Sequence, residues 1–358
     1  MPQNITAHRP KQNSLQLLRV LAATMVVVHH TTLEIARRHA TFPVWMEGRY
    51  GVDLFFVLSG YVMVYSSSRL EAATNGWLVF LQRRVARVVP LYWIVTTIVL
   101  LGQMWLVFEQ RGPMHLARRA VDSYLFLPYT GSGGDWLPLL GVGWTLVFEM
   151  FFYIVFAVAL LLRANVLWFV SLFLGVVAAG MFHNFERFPA LNVYCRPIVL
   201  EFVFGMVLAR LPLASMRRTP WLACILLGGG LLLLVWPSQL SEYWRAVRMG
   251  LPAALVVYAA LQLEPWFHRA PRFLLFLADA TYSIYLVHLP LLPFLGRIGE
   301  VHQNRVLLTA LCAGIVGVLI LFGALIYYWF ERPLLRWIQK HWRLEGKRPI
   351  QLPISNYS

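Results

Sequence analysis

"LQLLRVLAATMVVVHH", residues 15–30, is an apolar run broken by a single charge, Arg19, and closed by two histidines, His29 and His30. Apolar blocks of about 16 to 25 residues recur along the chain, the length that crosses a hydrocarbon core. They are continuously apolar rather than alternating, so helices, not barrel strands, would satisfy the backbone in lipid. The 358 residues are 59% hydrophobic and only 13% charged, with a mean hydropathy of +0.62. This composition excludes an ordinary soluble domain and predicts an all-α, polytopic membrane protein. Arg9 and Lys11 ahead of the run imitate a signal peptide, but no small-residue cleavage site follows, so an uncleaved first helix is expected.

About ten spans are predicted, at 16–33, 51–66, 86–108, 143–162, 166–182, 197–211, 220–237, 249–263, 273–295 and 306–330. An even number puts both termini on one side. With both in the cytoplasm, 19 of the 31 lysines and arginines fall inside, the direction that membrane insertion favours. Residues 1–340 read as one membrane domain and 341–358 as a short cytoplasmic tail. The longest outer loop, about 109–142, contains "PYTGSGGDWLPLLGVGW" and reads as irregular backbone.

The formal charge of +15 does not point to nucleic acid, because the arginines sit in short loops between apolar blocks. Three widely spaced cysteines, Cys195, Cys224 and Cys312, fit neither a disulfide framework nor a thiolate metal site. No HExxH, GxSxG or phosphate-loop pattern is present, so no metal is expected.

What remains is a set of polar residues inside predicted spans, where each is costly and therefore a functional candidate. At about 100° per residue, Arg19 and His30 share one helical face, ~16 Å apart along the axis, while His29 points roughly 80° away. His30 is thus the histidine that could work along a cavity with Arg19; headgroup contact is the plainer alternative. In "FLQRRVARVVPLYWI" (80–94), Arg84 and Arg87 lie at i and i+3 beside Arg83. Placed at the cytoplasmic start of the third span, they would suit phosphate oxygens, although topology anchoring explains such clusters too. Pro90 could start or kink that helix. "GRYGVDLFFVLSGYVM" (48–63) carries Asp53 and Ser59-Gly60; Asp53 could pair with a cation, orient a histidine, or sit at a solvated helix end. Glu149 in "GWTLVFEMFFY" (143–153) lies near Trp144 and one turn from Tyr153, and must be protonated, paired or facing water. Thr281, Tyr285 and His288 form a polar stripe that serves either a substrate or interhelical hydrogen bonds. Glu331 and Arg332 close the tenth span.

Taken in order, "LQLLRVLAATMVVVHH", "GVDLFFVLSGYVM", "FLQRRVARVVPLYW", "GWTLVFEMFFY", "TYSIYLVH" and "FERP" resemble the acyltransferase family 3 of integral membrane O-acyltransferases, over roughly residues 14–335. Bacterial exopolysaccharide and Nod-factor O-acetylases are the most similar members. The resemblance implies transfer of an acetyl group from cytoplasmic acetyl-CoA, a co-substrate rather than a resident cofactor, to a sugar hydroxyl. The acceptor would be an exopolysaccharide, a lipid-linked glycan or a related envelope saccharide. It implies a site in the bacterial inner membrane, with membrane lipid and polysaccharide-biosynthesis machinery as partners. Arg84 and Arg87, with Arg83 beside them, match the family's Arg-x-x-Arg motif for the CoA phosphates, and His30 its first-helix histidine. Direct transfer is expected, with His30 as base and Asp53 or another carboxylate orienting it; an acetyl-histidine intermediate is the mechanistic alternative. Arg19, Trp144, Glu149, Tyr285, His288 and Glu331 are expected to line the cavity. A transporter or flippase for a lipid-linked saccharide is the competing reading, and acetyl-CoA affinity separates the two.

Overall fold

The computed structural model describes residues 12–107, 113–130, 136–211, 220–236, 241–298 and 304–342. Arg9, Lys11, Arg217, Arg218 and the predicted tail beyond Trp342 lie outside them. Among the described residues all regular structure is helical. The helices are α1 (Asn13–Arg38), α2 (Gly51–Ser67), α3 (Gly76–Val107), α4 (Pro113–Tyr124), α5 (Trp144–Leu161), α6 (Val166–Ala179) and α7 (Pro189–Tyr194). They continue with α8 (Leu200–Leu208), α9 (Pro220–Val235), α10 (Leu251–Gln262), α11 (Arg272–Gly296), α12 (Arg305–Ile326) and α13 (Arg332–His341).

Every segment predicted to span contains one of these helices. Five helical stretches are long and apolar enough to cross a membrane by length and composition: Asn13–Arg38, Gly76–Met104, Gly141–Leu161, Arg272–Gly296 and Arg305–His341. Shorter apolar helices pack among them. The chain is a multi-pass membrane protein, and its large exposed apolar residues, such as Trp168, Leu172, Val176 and Leu321, give lipid the surface it requires.

Packing follows small residues. α2 lies against α8 with Gly60 facing the Phe202 carbonyl and Gly205 facing the Val57 carbonyl, both too close to admit a Cβ. Only glycine allows two backbones to meet in this way, and close approach is what drives helix association in lipid. Around this contact Phe56, Phe148, Phe152 and Phe202 form an aromatic core, with Phe152 and Phe202 stacked at 4.3 Å. α1 packs against α2, α11 and α12, which makes it the central helix.

Two readings change. α3 begins at Gly76, so Arg83, Arg84 and Arg87 stand about two to three turns inside a helix rather than at its start. The free N–H groups of a helix terminus therefore do not contribute at that site. Pro90 falls within α3 and does not open it. Among its described residues the 109–142 segment is also less irregular than its composition suggests: the amphipathic α4 occupies part of it, and Arg119 and Ser123 of α4 bind the 137–139 backbone.

Candidate active site

His30 occupies the last third of α1, half-buried, on the face turned to α11. Its Nδ1 lies 3.1 Å from His288 Nε2 and 3.1 Å from the Val26 carbonyl. On the other ring, His288 Nδ1 faces the Ile284 carbonyl at 3.3 Å. Carbonyl oxygens only accept, so His288 carries its proton on Nδ1 and presents a bare Nε2. His30 Nδ1, between that nitrogen and another carbonyl, must then be the donor. A neutral His30 consequently has its lone pair on Nε2, free for a proton. The Val26 carbonyl and the fully buried His288 together hold the half-buried His30 in this tautomer.

His29, one residue earlier, turns elsewhere: its Nδ1 meets the Trp45 carbonyl at 2.9 Å. Helical geometry alone separates the two rings. Tyr285, one turn before His288, donates or accepts with Thr145 Oγ1 at 2.9 Å, beside Trp144 at the start of α5. The Tyr285 and His288 rings are 5.8 Å apart. Thr281 bonds back to the Ala278 carbonyl, so it drops out of the predicted stripe.

Asp53 does not orient His30. Its carboxylate is fully buried and bonds Arg245 at 3.0 Å, with Glu201 3.9 Å from the same guanidinium. In the apolar core an isolated carboxylate is prohibitive, and pairing removes most of that cost. Neither Glu201 nor Arg245 was singled out from the sequence. Glu201 was legible in principle, being an acid within a predicted span, whereas Arg245 lies outside every predicted span.

Deeper in the bundle a second polar cluster gathers the remaining candidates. Glu149 accepts hydrogen bonds from Ser59 Oγ at 3.1 Å and from Tyr153. Arg84 donates to Ser66 Oγ at 3.1 Å and lies over the rings of Phe80 and Tyr153. Glu331 accepts from Ser283, and Arg87 stands within Coulombic reach of Glu331 and Asp279. Arg19 feels Arg87, Asp279 and Glu149. Three guanidinium groups thus face three carboxyl groups, and Arg83 is the further cation beside them. Asp279, in "FLADATYSIY", is a further ionisable residue inside a predicted span, legible by the same rule as Glu149. Glu331 is delivered by a π-helical turn, Tyr327–Glu331, of the wide kind often found at functional sites. Arg19, Arg84 and Arg87 are half-buried and keep accessible surface. Among the described residues no group of three or more His, Cys, Asp or Glu could hold a metal.

The arrangement therefore has a paired imidazole at one level and a guanidinium cluster about three helical turns away along α1. Residues 12–340 match the family described as "Acyltransferase domain", acyltransferase family 3. The "Exopolysaccharide production protein ExoZ" of Rhizobium meliloti (strain 1021) is 35% identical over 301 residues, which cover 81% of this chain and 90% of that protein. "Acyltransferase MdmB" of Streptomyces mycarofaciens is 26% identical, covering 81% of each chain. "Putative peptidoglycan O-acetyltransferase YrhL" of Bacillus subtilis (strain 168) is 30% identical over 42% of this chain and 24% of its own length. No solved structure matches the chain. By its sequence over nearly its whole length, the protein belongs to the acyltransferase family 3 of membrane acyltransferases.

Proposed function

We propose that this acyltransferase moves an acetyl group from cytoplasmic acetyl-CoA to a sugar hydroxyl of an exopolysaccharide or lipid-linked envelope glycan, within the bacterial inner membrane. The relatives support the two halves of this reading: one is named for exopolysaccharide production and another for O-acetyl transfer. The single observation that carries it is the His30–His288 pair, which leaves His30 Nε2 unprotonated and facing away from its own partners. A sugar hydroxyl is a poor nucleophile until a base takes its proton during attack on the thioester carbonyl. Base catalysis by a positioned imidazole contributes roughly 10²–10⁴-fold.

In this reading His30 Nε2 takes the hydroxyl proton as the sugar oxygen bonds the acetyl carbon, and the carbon–sulfur bond then breaks. The imidazolium returns its proton to the departing CoA thiolate. Its charge is shared through Nδ1–H with His288. Arg83, Arg84 and Arg87 hold the CoA phosphates on the cytoplasmic side, with both chain termini on that side and ten crossings in all. Arg19, Glu149 and Glu331 line the intervening passage, through which the extended donor reaches the histidines near the outer surface. Asp53 acts at a distance, by holding Arg245 and the α2–α8–α10 junction.

The test is acetyl transfer from radiolabelled acetyl-CoA to saccharide in membranes containing the protein, with glycan acetyl content read by NMR. Label in saccharide only when the protein is present supports the reading. Absence of transfer, with glycolipid nevertheless moved between leaflets, would support a flippase instead.

A further inference from the structure

Where the bundle ends on the His30 side, three residues outside the catalytic pair stand together. The Arg196 guanidinium carbon lies 3.9 Å from the Trp136 ring centroid. Trp136 meets Trp144 edge-on, with centroids 5.7 Å apart at 72°. All three residues are half-buried. Trp144 adjoins Thr145, which bonds Tyr285, which packs on His288, which bonds His30. The cluster is thus joined to the imidazole base by direct contacts.

Its chemistry is one-sided. Indole nitrogens and guanidinium groups donate hydrogen bonds and accept none. Among the described residues, neither indole N–H nor the Arg196 guanidinium has an acceptor, and none is sealed off as a buried orphan. Arg196 lies within Coulombic reach of Glu242, but Glu242 forms its ion pair with Arg245, at 3.5 Å. The donors therefore point at accessible space and await oxygen atoms.

The positions are also held in place. Trp136 sits on irregular backbone, yet Arg119 of α4 binds the next two carbonyls, Leu137 at 3.0 Å and Pro138 at 3.2 Å. Ser123 fixes Leu139 N at 2.9 Å. Arg196 is fixed by backbone bonds on both sides and by the following Pro197. Rigid support of this kind is what a binding group requires.

We infer that Trp136, Trp144 and Arg196 form the acceptor subsite and that its ligand is a pyranose unit of the saccharide. A pyranose combines an apolar C–H face, which suits an indole ring, with a rim of oxygen atoms that accept from N–H donors. A lipid tail would leave the donors unmatched, and a cationic ligand would be repelled by Arg196. This rests on the acetyl-transfer reading above, and it adds where the acceptor, not the donor, is gripped.

Arg196→Ala, Trp144→Ala and Trp136→Ala are compared with the unaltered protein in membranes, using radiolabelled acetyl-CoA and the lipid-linked saccharide fraction extracted from the same cells. Each variant is expected to raise the KM for that fraction about tenfold, the loss of one hydrogen bond to a charged group or one ring contact. Acetyl-CoA affinity, measured by equilibrium binding, should stay within about twofold, since the donor is held elsewhere. Arg196→Lys should recover only part of the loss, because lysine keeps the charge but not the stacking plane. Unchanged KM in all three variants overturns the subsite, as does parallel loss of acetyl-CoA affinity. Failure of the unaltered protein to label any saccharide would instead overturn the acetyl-transfer reading.

Discussion

His288 Nε2 lies 3.1 Å from His30 Nδ1, joining residues 258 positions apart in the chain. One ring is fully buried and the other half-exposed, so the pair has a fixed side and a working side. This is the logic of a base oriented by a second group, with an imidazole in the place that a carboxylate commonly takes.

His30→Ala should lower acetyl transfer by at least about 10²-fold while the protein stays in the membrane. His29→Ala removes a bond to the Trp45 carbonyl and should cost about 1 kcal/mol of stability with most activity retained. Glycan acetyl content by NMR, alongside protein level by immunoblot, checks both. Equal tolerance of the two substitutions would undo the assignment.

His288→Ala removes one of the two acceptors of His30 Nδ1–H, leaving the Val26 carbonyl, and should reduce kcat roughly tenfold or more, with the KM for acetyl-CoA little changed. His288→Gln offers an amide oxygen to the same Nδ1–H and should recover part of the rate. A merely structural role predicts no such rescue, and steady-state kinetics distinguishes the outcomes.

Arg84→Ala combined with Arg87→Ala should weaken acetyl-CoA binding by roughly tenfold or more, since charge-assisted bonds to phosphate are lost. The same change leaves Arg19 as the main cation facing Glu149 and Glu331, so thermal stability must be followed in parallel. Equilibrium binding with labelled acetyl-CoA is the measurement. Unchanged affinity would return the cluster to a purely electrostatic balance within the bundle.

Asp53→Ala should destabilise the fold by about 1.5–3 kcal/mol, because it removes the 3.0 Å bond to Arg245 and leaves that guanidinium only the more distant Glu201 and Glu242. Asp53→Asn with Arg245→Gln should cost less than the sum of the single changes. Thermal unfolding in detergent, arranged as a double-mutant cycle, reads the coupling directly. Full additivity would show that the two side chains do not depend on each other.

The sequence made the helices legible because lipid imposes a length and a composition on every crossing. It separated His30 from His29 through the 100° step of a helix, a local rule needing no tertiary knowledge. Contacts between distant helices were beyond it. Nothing near Asp53 announces Arg245, and nothing near His30 announces His288, although both members of the latter pair were suspected separately. The start of α3 is not legible, because "GWLVFLQ" ahead of Arg83 is as compatible with an interfacial stretch as with helix. Asp279 and Glu201 show the reverse case, since the rule that found Glu149 applied equally to them.

The wide turn at Tyr327–Glu331 accommodates an extra residue relative to α-helical winding, and everything after it inherits that offset. Were the turn to slide by one position, Glu331 would retract from Ser283 and α13, with Arg332, Arg336 and Lys340, would rotate about its own axis. The single turn that brings Glu331 to Ser283 thus also sets the rotational register of the basic helix that follows it.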